Sequence, residues 1–514
     1  MDISDTGLSH SVFDAARRSR DARFDGRFFI GVTTTRVYCR PVCPVPAPKD
    51  EHIRYFPTAA AAEGAGFRPC LRCRPESSPG TPAWSGTSAI VSRGLRLIGD
   101  GALDRGDLER FASSLGVTPR HLRRLFIRHL GATPSAVAFT RRLHFAKKLI
   151  DETNLGFADV AVASGFGSLR RFNGVIRETY ARTPTELRRL ARQQPGGRPD
   201  SYRFKLTYRP PYDWGAMLAF LRTRAIPGVE SVEGSCYRRT IAIDDQTGTI
   251  AVSPIASACA LALEVRIAKP RSLLAIVERV RRVFDLAADP AVVGEHLRRD
   301  PLLDRVLTRH PGLRVPGAWD GFELAVRAIL GQQISVRAAS TIAGRVAALF
   351  GTEVAGSASL NRRFPQPSQL ADAPLERAGV IGARAETIRW LARAVGSGSI
   401  SLVPTADPER TIASLLELPG IGAWTAQYIA MRALGEPDAL PPGDLVLRRE
   451  AGVRTPIELG RRAESWRPWR AYAVVTLWQG ATDRSTSTPV AIVDDEELRS
   501  RPQIGHVSGR PLTL

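Results

Sequence analysis

The sequence predicts a multidomain α+β protein built from four unlike parts: a small metal-bound α/β domain, an all-α tandem helix-turn-helix, a small antiparallel β domain and an all-α helix-hairpin-helix domain. Three observations predict it. Four of the six cysteines fall in two close pairs before residue 75. A basic helix-and-turn pattern occurs twice, about 50 residues apart. Beyond residue 200 the apolar residues alternate, and from 271 they take helical spacing instead. At 514 residues the chain is long enough for roughly three to four domains with separate cores.

Charge narrows the partner. There are 72 Lys plus Arg against 51 Asp plus Glu, a formal net charge of +21. Such an excess calls for a polyanion. It is uneven: residues 93–192 hold 19 basic against 9 acidic residues. No run of eighteen apolar residues appears, and residues 1–30 lack a basic-then-apolar leader, which argues against membrane insertion and export. Clustered cysteines fit a reducing compartment better than a disulfide framework. The expectation is a cytoplasmic, nucleoid-associated protein.

The first element, residues 1–80, is set by YCRPVC (38–43) and RPCLRC (68–73). C-x3-C with C-x2-C lets each short loop deliver two thiolates to one side of an ion, so Cys39, Cys43, Cys70 and Cys73 form a four-cysteine zinc site. Spacing leaves open whether the zinc is purely structural or keeps one sulfur reactive. Cys236 and Cys259 match no ligand pattern and read as core thiols.

The second element, residues 85–192, rests on an internal repeat. LRRLF (122–126) recurs as LRRF (169–172), and GATP (131–134) as ARTP (181–184). Each copy follows a short helix and a glycine-containing turn, which predicts second, DNA-reading helices near 119–129 and 168–179. QQPGGRPD (193–200) then reads as a linker that permits independent domains. The runs YRFKL (202–206), TIAI (240–243), TIAVS (249–253) and LALEVRI (261–267) predict a mostly antiparallel β domain over 201–270. Residues 271–484 are helical in pattern, and 485–514 read as a disordered tail.

Within the helical stretch, LPGIGAWTA (418–426) can expose backbone N–H groups of Gly420 and Gly422 to a DNA phosphate. Twenty residues beyond Trp424, LPPGDLVLRR places Asp444. A carboxylate there suits cleavage through an oxocarbenium-like state, and it also suits a helix N-cap before LVLRR.

These motifs carry resemblances. FFIGVTTTRVYCRPVCPVPAPK (28–49) with AGFRPCLRC (65–73) resembles the N-terminal domain of the Ada adaptive-response family. That resemblance implies methyl transfer from a DNA methyl-phosphotriester to the first zinc-bound cysteine, which by motif position is Cys39. The segment 85–192 resembles the AraC-type tandem helix-turn-helix that follows it in Ada, implying promoter DNA and RNA polymerase as partners. No Pro-Cys-His-Arg motif follows, so the O6-alkylguanine repair domain of that family is missing from its usual place.

The stretch from 202 to about 483 resembles AlkA-type 3-methyladenine DNA glycosylases of the helix-hairpin-helix superfamily, through YRPPYDWGAMLAFLRTRAIPGVE (208–230), RAILGQQISVRAAS (327–340), LPGIGAWTAQYIAMRAL (418–434) and WRPWRAYAVVTLW (466–478). It implies Asp444 as catalytic residue and Trp424, Tyr428 and Trp478 as the pocket for a flipped, alkylated base in double-stranded DNA. Gln333 takes the position of the family's leucine wedge, and a monovalent cation is expected at the hairpin. Leu445 stands where the family carries an aromatic, which implies a less closed pocket. Lyase members place a nucleophilic Lys where Trp424 stands, and no cysteine follows Cys259 to build an iron–sulfur cluster. A monofunctional, monomeric glycosylase fused to a methylation sensor is the expectation. Its alternative is a zinc-containing regulator whose glycosylase-like half only binds DNA.

Overall fold

The computed structural model describes residues 10–79, 89–104, 106–191, 200–354, 359–404 and 407–487. The expected linker up to residue 199, and the expected tail from 488 onward, lie outside the described residues.

The first unit comprises α1 (His10–Ser19), β1 (Phe29–Val32), β2 (Val37–Cys39), β3 (Ile53–Phe56), α2 (Ala59–Gly64) and β4 (Arg68–Pro69). Its sheet has the order β3-β1-β2-β4, with β2 and β4 parallel. Phe29, Tyr38, Phe56 and Phe67 form its core over the alanine face of α2. The parallel register pairs Tyr38 with Pro69, which brings Cys39 and Cys70 out at the same sheet end.

Seven helices follow: α3 (Ala89–Gly99), α4 (Leu108–Ser114), α5 (Pro119–Leu130), α6 (Pro134–Glu152), α7 (Phe157–Ala163), α8 (Leu169–Tyr180) and α9 (Pro184–Leu190). The repeat in the sequence is a capping device. Thr118 caps α5 and Ser168 caps α8, each side chain accepting an N–H three residues on. Gly131 and Ala181 end these helices in the left-handed conformation. Thr133 and Thr183 then cap the next helices, with Pro at the first position. Leu122, Phe126 and Leu130 of α5 are buried, as are Phe172, Ile176 and Tyr180 of α8. This i, i+4, i+8 stripe leaves Arg123, Arg124 and Arg128, and likewise Arg170, Arg171 and Arg177, exposed.

Next come β5 (Ser201–Thr207), α10 (Trp214–Arg224), β6 (Glu230–Glu233), β7 (Cys236–Ile243), β8 (Gln246–Pro254) and β9 (Ala260–Arg266). The strands form one antiparallel sheet in the order β5-β9-β8-β7-β6. Every strand read from alternation is present, but α10 interrupts them. The chain does not separate at the linker: one apolar core runs from Leu143 and Phe172 through Phe204 and Val252 to Ile276. Composition between two segments says nothing about faces that meet through space.

The rest holds α11 (Leu273–Val283), α12 (Pro290–Leu297), α13 (Pro301–Arg309), α14 (Gly321–Leu330), α15 (Val336–Phe350), a short ribbon β10 (Thr352–Glu353) with β11 (Arg362–Arg363), α16 (Pro367–Leu370), α17 (Gly382–Gly396), α18 (Pro408–Leu416), α19 (Ala423–Arg432), α20 (Leu445–Glu450), α21 (Pro456–Arg462) and α22 (Arg470–Ser487). The last helix extends three residues into the stretch read as a tail. Two cores flank α19, one led by Ile329 and Ile388, the other by Trp466 and Leu477.

Candidate metal centre and aromatic pocket

The four sulfurs of Cys39, Cys43, Cys70 and Cys73 all lie within 4.8 Å of one another. Tetrahedral zinc at about 2.3 Å from each sulfur needs S···S separations of about 3.8 Å, so the set fits the ion. Local backbone explains the convergence. Cys43 N–H donates to Arg40 O, closing the first loop, and Cys70 N–H donates to Tyr38 O beside it. The Arg40 backbone N–H also donates to Cys73 Sγ at 3.4 Å, and its guanidinium is fixed by Asp25 and by Cys73 O. Cys70 and Cys73 are buried, whereas Cys39 and Cys43 are half-buried.

Behind the centre, the Tyr38 hydroxyl donates to Glu63 at 2.8 Å and meets His144 of α6 at 3.1 Å. Burial pushes the Glu63 carboxyl up, but His144, Thr140 and Tyr38 together hold it below the usual range. Arg74 and Lys147 share Asp151 at 2.8 and 2.5 Å, so a second ionic cluster seats the second cysteine loop on α6. The first unit is thereby fastened to the long helix joining the two helix-turn-helix copies.

The second site lies at the hairpin between α18 and α19. Gly420 has φ +86°, and a Cβ there would stand 2.2 Å from Thr387 Oγ1, so conformation and space both require glycine. Gly422 is the N-cap of α19 with no side-chain cap, and nothing lies within 4 Å of where its Cβ would be. This leaves the helix N-terminus open toward an anion. Gln332 donates to Gly420 O at 2.9 Å and to Thr425 Oγ1 at 3.1 Å, and Arg384 donates to Gln332 O. The next residue, Gln333, is exposed with φ +56°. A left-handed non-glycine residue on a loop pinned from two sides is stored strain, concentrated where the wedge is expected.

Asp444 is the N-cap of α20: its Oδ1 accepts the Leu447 N–H at 2.9 Å. Its Oδ2 accepts the Trp424 indole N–H at 3.0 Å. One turn along α19, Tyr428 stacks on Trp424 with centroids 5.1 Å apart and planes 9° apart. Trp478 of α22 stands 6.2 Å from Tyr428. The three aromatic residues read from the sequence therefore stand together, with Trp424 bonded to Asp444. Leu445 is 72% exposed and leaves that side open.

Sequence reasoning missed three residues here. Phe220 of α10 stacks on Trp478 at 6.4 Å and 22°. The Arg224 guanidinium lies 3.8 Å over the Phe220 ring, and that of Arg432 lies 4.8 Å from it. Arg432 also donates to the Tyr428 hydroxyl at 2.7 Å and to the carbonyls of Pro316 and Gly317. Burial pushes the Tyr428 phenol up, but Arg432, Arg224 and Arg327 outweigh it and hold the group below its ordinary value. Nothing local in the sequence joins Phe220 to a hairpin 200 residues later. The reading of Cys259 as a core thiol is wrong: it is exposed in the turn between β8 and β9, and Cys236 is half-buried at the edge of β7. The chemistry of a cysteine does not reveal that its position falls in the turn between two strands.

Comparison with known proteins finds matches along the chain. The "Metal binding domain of Ada" profile matches residues 13–76, a "Helix-turn-helix domain" profile matches 111–190 and the "AlkA N-terminal domain" profile matches 203–320. The chain is similar to the "Probable bifunctional transcriptional activator/DNA repair enzyme AlkA" of Mycobacterium tuberculosis, 42% identical over 91% of this chain and 96% of that one. It is similar to DNA-3-methyladenine glycosylase 2 of Escherichia coli, 34% identical over 54% of this chain and 96% of that one. To the bifunctional transcriptional activator/DNA repair enzyme Ada of Escherichia coli it is 35% identical over 23% of this chain and 32% of that one. With a zinc-binding Ada unit, a helix-turn-helix unit and an AlkA-type unit in one chain, and a relative matched along nearly its whole length, this protein belongs to the family of bifunctional transcriptional activator/DNA repair enzymes AlkA.

Proposed function

We propose that this chain is a bifunctional alkylation-damage response protein. Its C-terminal half excises alkylated purines of the 3-methyladenine type as a monofunctional DNA glycosylase. Its N-terminal half takes a methyl group from a DNA methyl-phosphotriester onto Cys39 and so activates transcription. The observation that carries the first activity is the Asp444 carboxylate, oriented by the Trp424 indole beside the Trp424, Tyr428 and Trp478 rings. A flipped base enters among the rings, and an alkylated, electron-poor base gains from their π faces. As the C1′–N bond breaks, its electron pair leaves with the base and positive charge grows on the sugar. Asp444 stabilises that charge and orients the water that adds to C1′, whose proton passes to solvent. Trp424 offers no amine for a Schiff base, which supports hydrolysis without strand cleavage.

At the other site, zinc when bound keeps the four thiols deprotonated. The Cys39 sulfur displaces phosphate from the methyl carbon: an S–C bond forms, the C–O bond breaks, and the electron pair stays on the phosphodiester oxygen. One negative charge is lost at a surface facing DNA phosphates, which strengthens binding. The half-buried position of Cys39 supports it as acceptor, although Cys43 is as accessible. The exposed arginines of α5 and α8 suit promoter DNA, with RNA polymerase as the partner of the activated form. Two reading helices in one chain support a monomer working in the cytoplasm at the nucleoid. Among the described residues no helix is long and apolar enough to cross a membrane. A monovalent cation bound at the hairpin would compete with the Gln332 amide for Gly420 O.

Two assays on the full chain test this. Methylated DNA loses free 3-methyladenine to the native protein and not to Asp444→Asn, and methyl-phosphotriester DNA leaves one methyl on Cys39. Absence of base release from the native protein would favour the alternative, a regulator whose C-terminal half only grips DNA.

A further inference from the structure

We infer that His310 is a positioning residue for the base pocket, a clasp between the two helices that supply the Phe220–Trp478 wall. The inference rests on reading that pocket as the seat of the damaged base. Phe220 and Trp478 belong to α10 and α22, far apart in sequence, and their stacked rings extend the cluster that holds Tyr428. His310 follows α13 and touches both helices at once. Its Nδ1 lies 2.9 Å from Asp213 Oδ2, and its Nε2 lies 3.1 and 3.2 Å from the two carboxylate oxygens of Asp483.

Each of those carboxylates is already built into its helix. Asp213 is the N-cap of α10, its Oδ1 accepting the Ala216 N–H at 2.8 Å. Asp483 of α22 also takes the Arg309 guanidinium at 2.7 Å and the Gln479 amide at 2.9 Å. Phe220 follows Asp213 by two turns and Trp478 precedes Asp483 by little more than one, so the clasp closes near the wall. The backbone repeats the junction: Asp213 N–H donates to Gly312 O at 3.1 Å. At Gly312, with φ +87°, any Cβ would stand 2.4 Å from Pro211 C and 2.6 Å from Tyr212 N. The turn after His310 is thus pressed directly onto the entry to α10. His310, Asp213 and Asp483 are 25%, 19% and 15% exposed, sheltered enough for the three contacts to fix helix placement. A wall displaced by about 1 Å binds the base poorly while leaving Asp444 untouched, since second-layer contacts set placement and not chemistry.

The test uses the full chain with His310→Ala and His310→Gln, a single cooperative melt by circular dichroism serving as the check of folding. The expected result for His310→Ala is a KM for methylated DNA raised about tenfold with kcat within about twofold, the signature of lost uniform binding. His310→Gln, which keeps an amide donor for one carboxylate, recovers part of it. Amide hydrogens of residues 214–221 and 479–484 exchange about tenfold faster in His310→Ala than in the native chain, and they do not change in Asp444→Asn. Unchanged exchange in both segments, or a fall confined to kcat, overturns the inference. If the native chain releases no base, the glycosylase reading falls, and the exchange measurement alone decides whether His310 joins the helices.

Discussion

The indole Nε1 of Trp424 donates to Oδ2 of Asp444 at 3.0 Å, while Oδ1 of the same carboxylate accepts the Leu447 N–H at 2.9 Å. Capping and catalysis are rival explanations of an Asp before LVLRR when sequence is all that is known. The geometry gives one oxygen to each, so a single side chain can serve both. Asp444→Asn keeps the cap, because Asn caps as well as Asp, but removes the charge and sets an NH2 where Oδ2 accepted the Trp424 N–H. The expected outcome is a melting temperature lowered no more than in Asp444→Ala, with base release lowered roughly 10²–10³-fold, the scale of a lost electrostatic stabiliser. Asp444→Ala loses the cap too and costs about 1 kcal/mol of stability by thermal melting.

Trp424→Phe separates the indole hydrogen bond from the stack. Phe retains the face presented to Tyr428, which lies 5.1 Å away, and leaves Asp444 Oδ2 without its donor. A hydrogen bond to a charged acceptor contributes about 1.5–3 kcal/mol, so kcat falls roughly 10- to 100-fold. Single-turnover base release at saturating enzyme measures it.

The zinc centre makes a separable prediction. Cys39→Ser abolishes methyl uptake from methyl-phosphotriester DNA, read by peptide mass mapping, and leaves base release intact. Metal removal by a chelator goes further, because the sheet of the first unit is short and its core small. Amide exchange over 28–79 then accelerates while α14–α22 stay protected. A methyl on Cys43 in the native chain would transfer the acceptor role to the other half-buried sulfur.

At the hairpin, the two glycines are expected to differ. Gly420→Ala forces a Cβ into left-handed backbone and against Thr387, costing about 2 kcal/mol or more by denaturant unfolding. Gly422→Ala meets open space at a negative φ, and its cost stays below about 1 kcal/mol. The second variant therefore reports DNA affinity free of a folding defect.

How much of this was legible in the sequence depended on distance along the chain. GATP and ARTP were readable because caps are local: a left-handed terminus, a Thr acceptor and a Pro at the first helical position occupy four consecutive residues. Cysteine spacing worked for the same reason. Trp424, Tyr428 and Asp444 share one stretch of α19 and the loop after it, and Trp478 entered through family resemblance. Phe220, Arg224 and His310 carry no such signal, since Trp478 and Asp483 lie on α22 and Tyr428 on α19. Nor could composition at QQPGGRPD reveal that α6 to α9 share a core with the β sheet.

Asp285 supplies a pH dependence outside both sites. Burial pushes its carboxyl up to about 6, although Arg314, the Tyr472 hydroxyl at 2.8 Å and the Val315 N–H all pull the other way. The unfolded value is 3.8, so the folded state prefers the protonated acid. A raised carboxyl contributes its stability fully below pH 3.8 and loses it as pH climbs through 6. Above that, the carboxylate opposes folding by about 2 kcal/mol, after discounting for its partial exposure. Asn at this position keeps an acceptor for Tyr472 and tolerates the left-handed backbone, φ +49°, that Asp285 adopts. Asp285→Asn therefore raises the melting temperature at pH 8 and leaves it unchanged near pH 4. A variant that melts earlier than the native chain at pH 8 would show that the Asp285 charge is paired strongly enough to repay its burial.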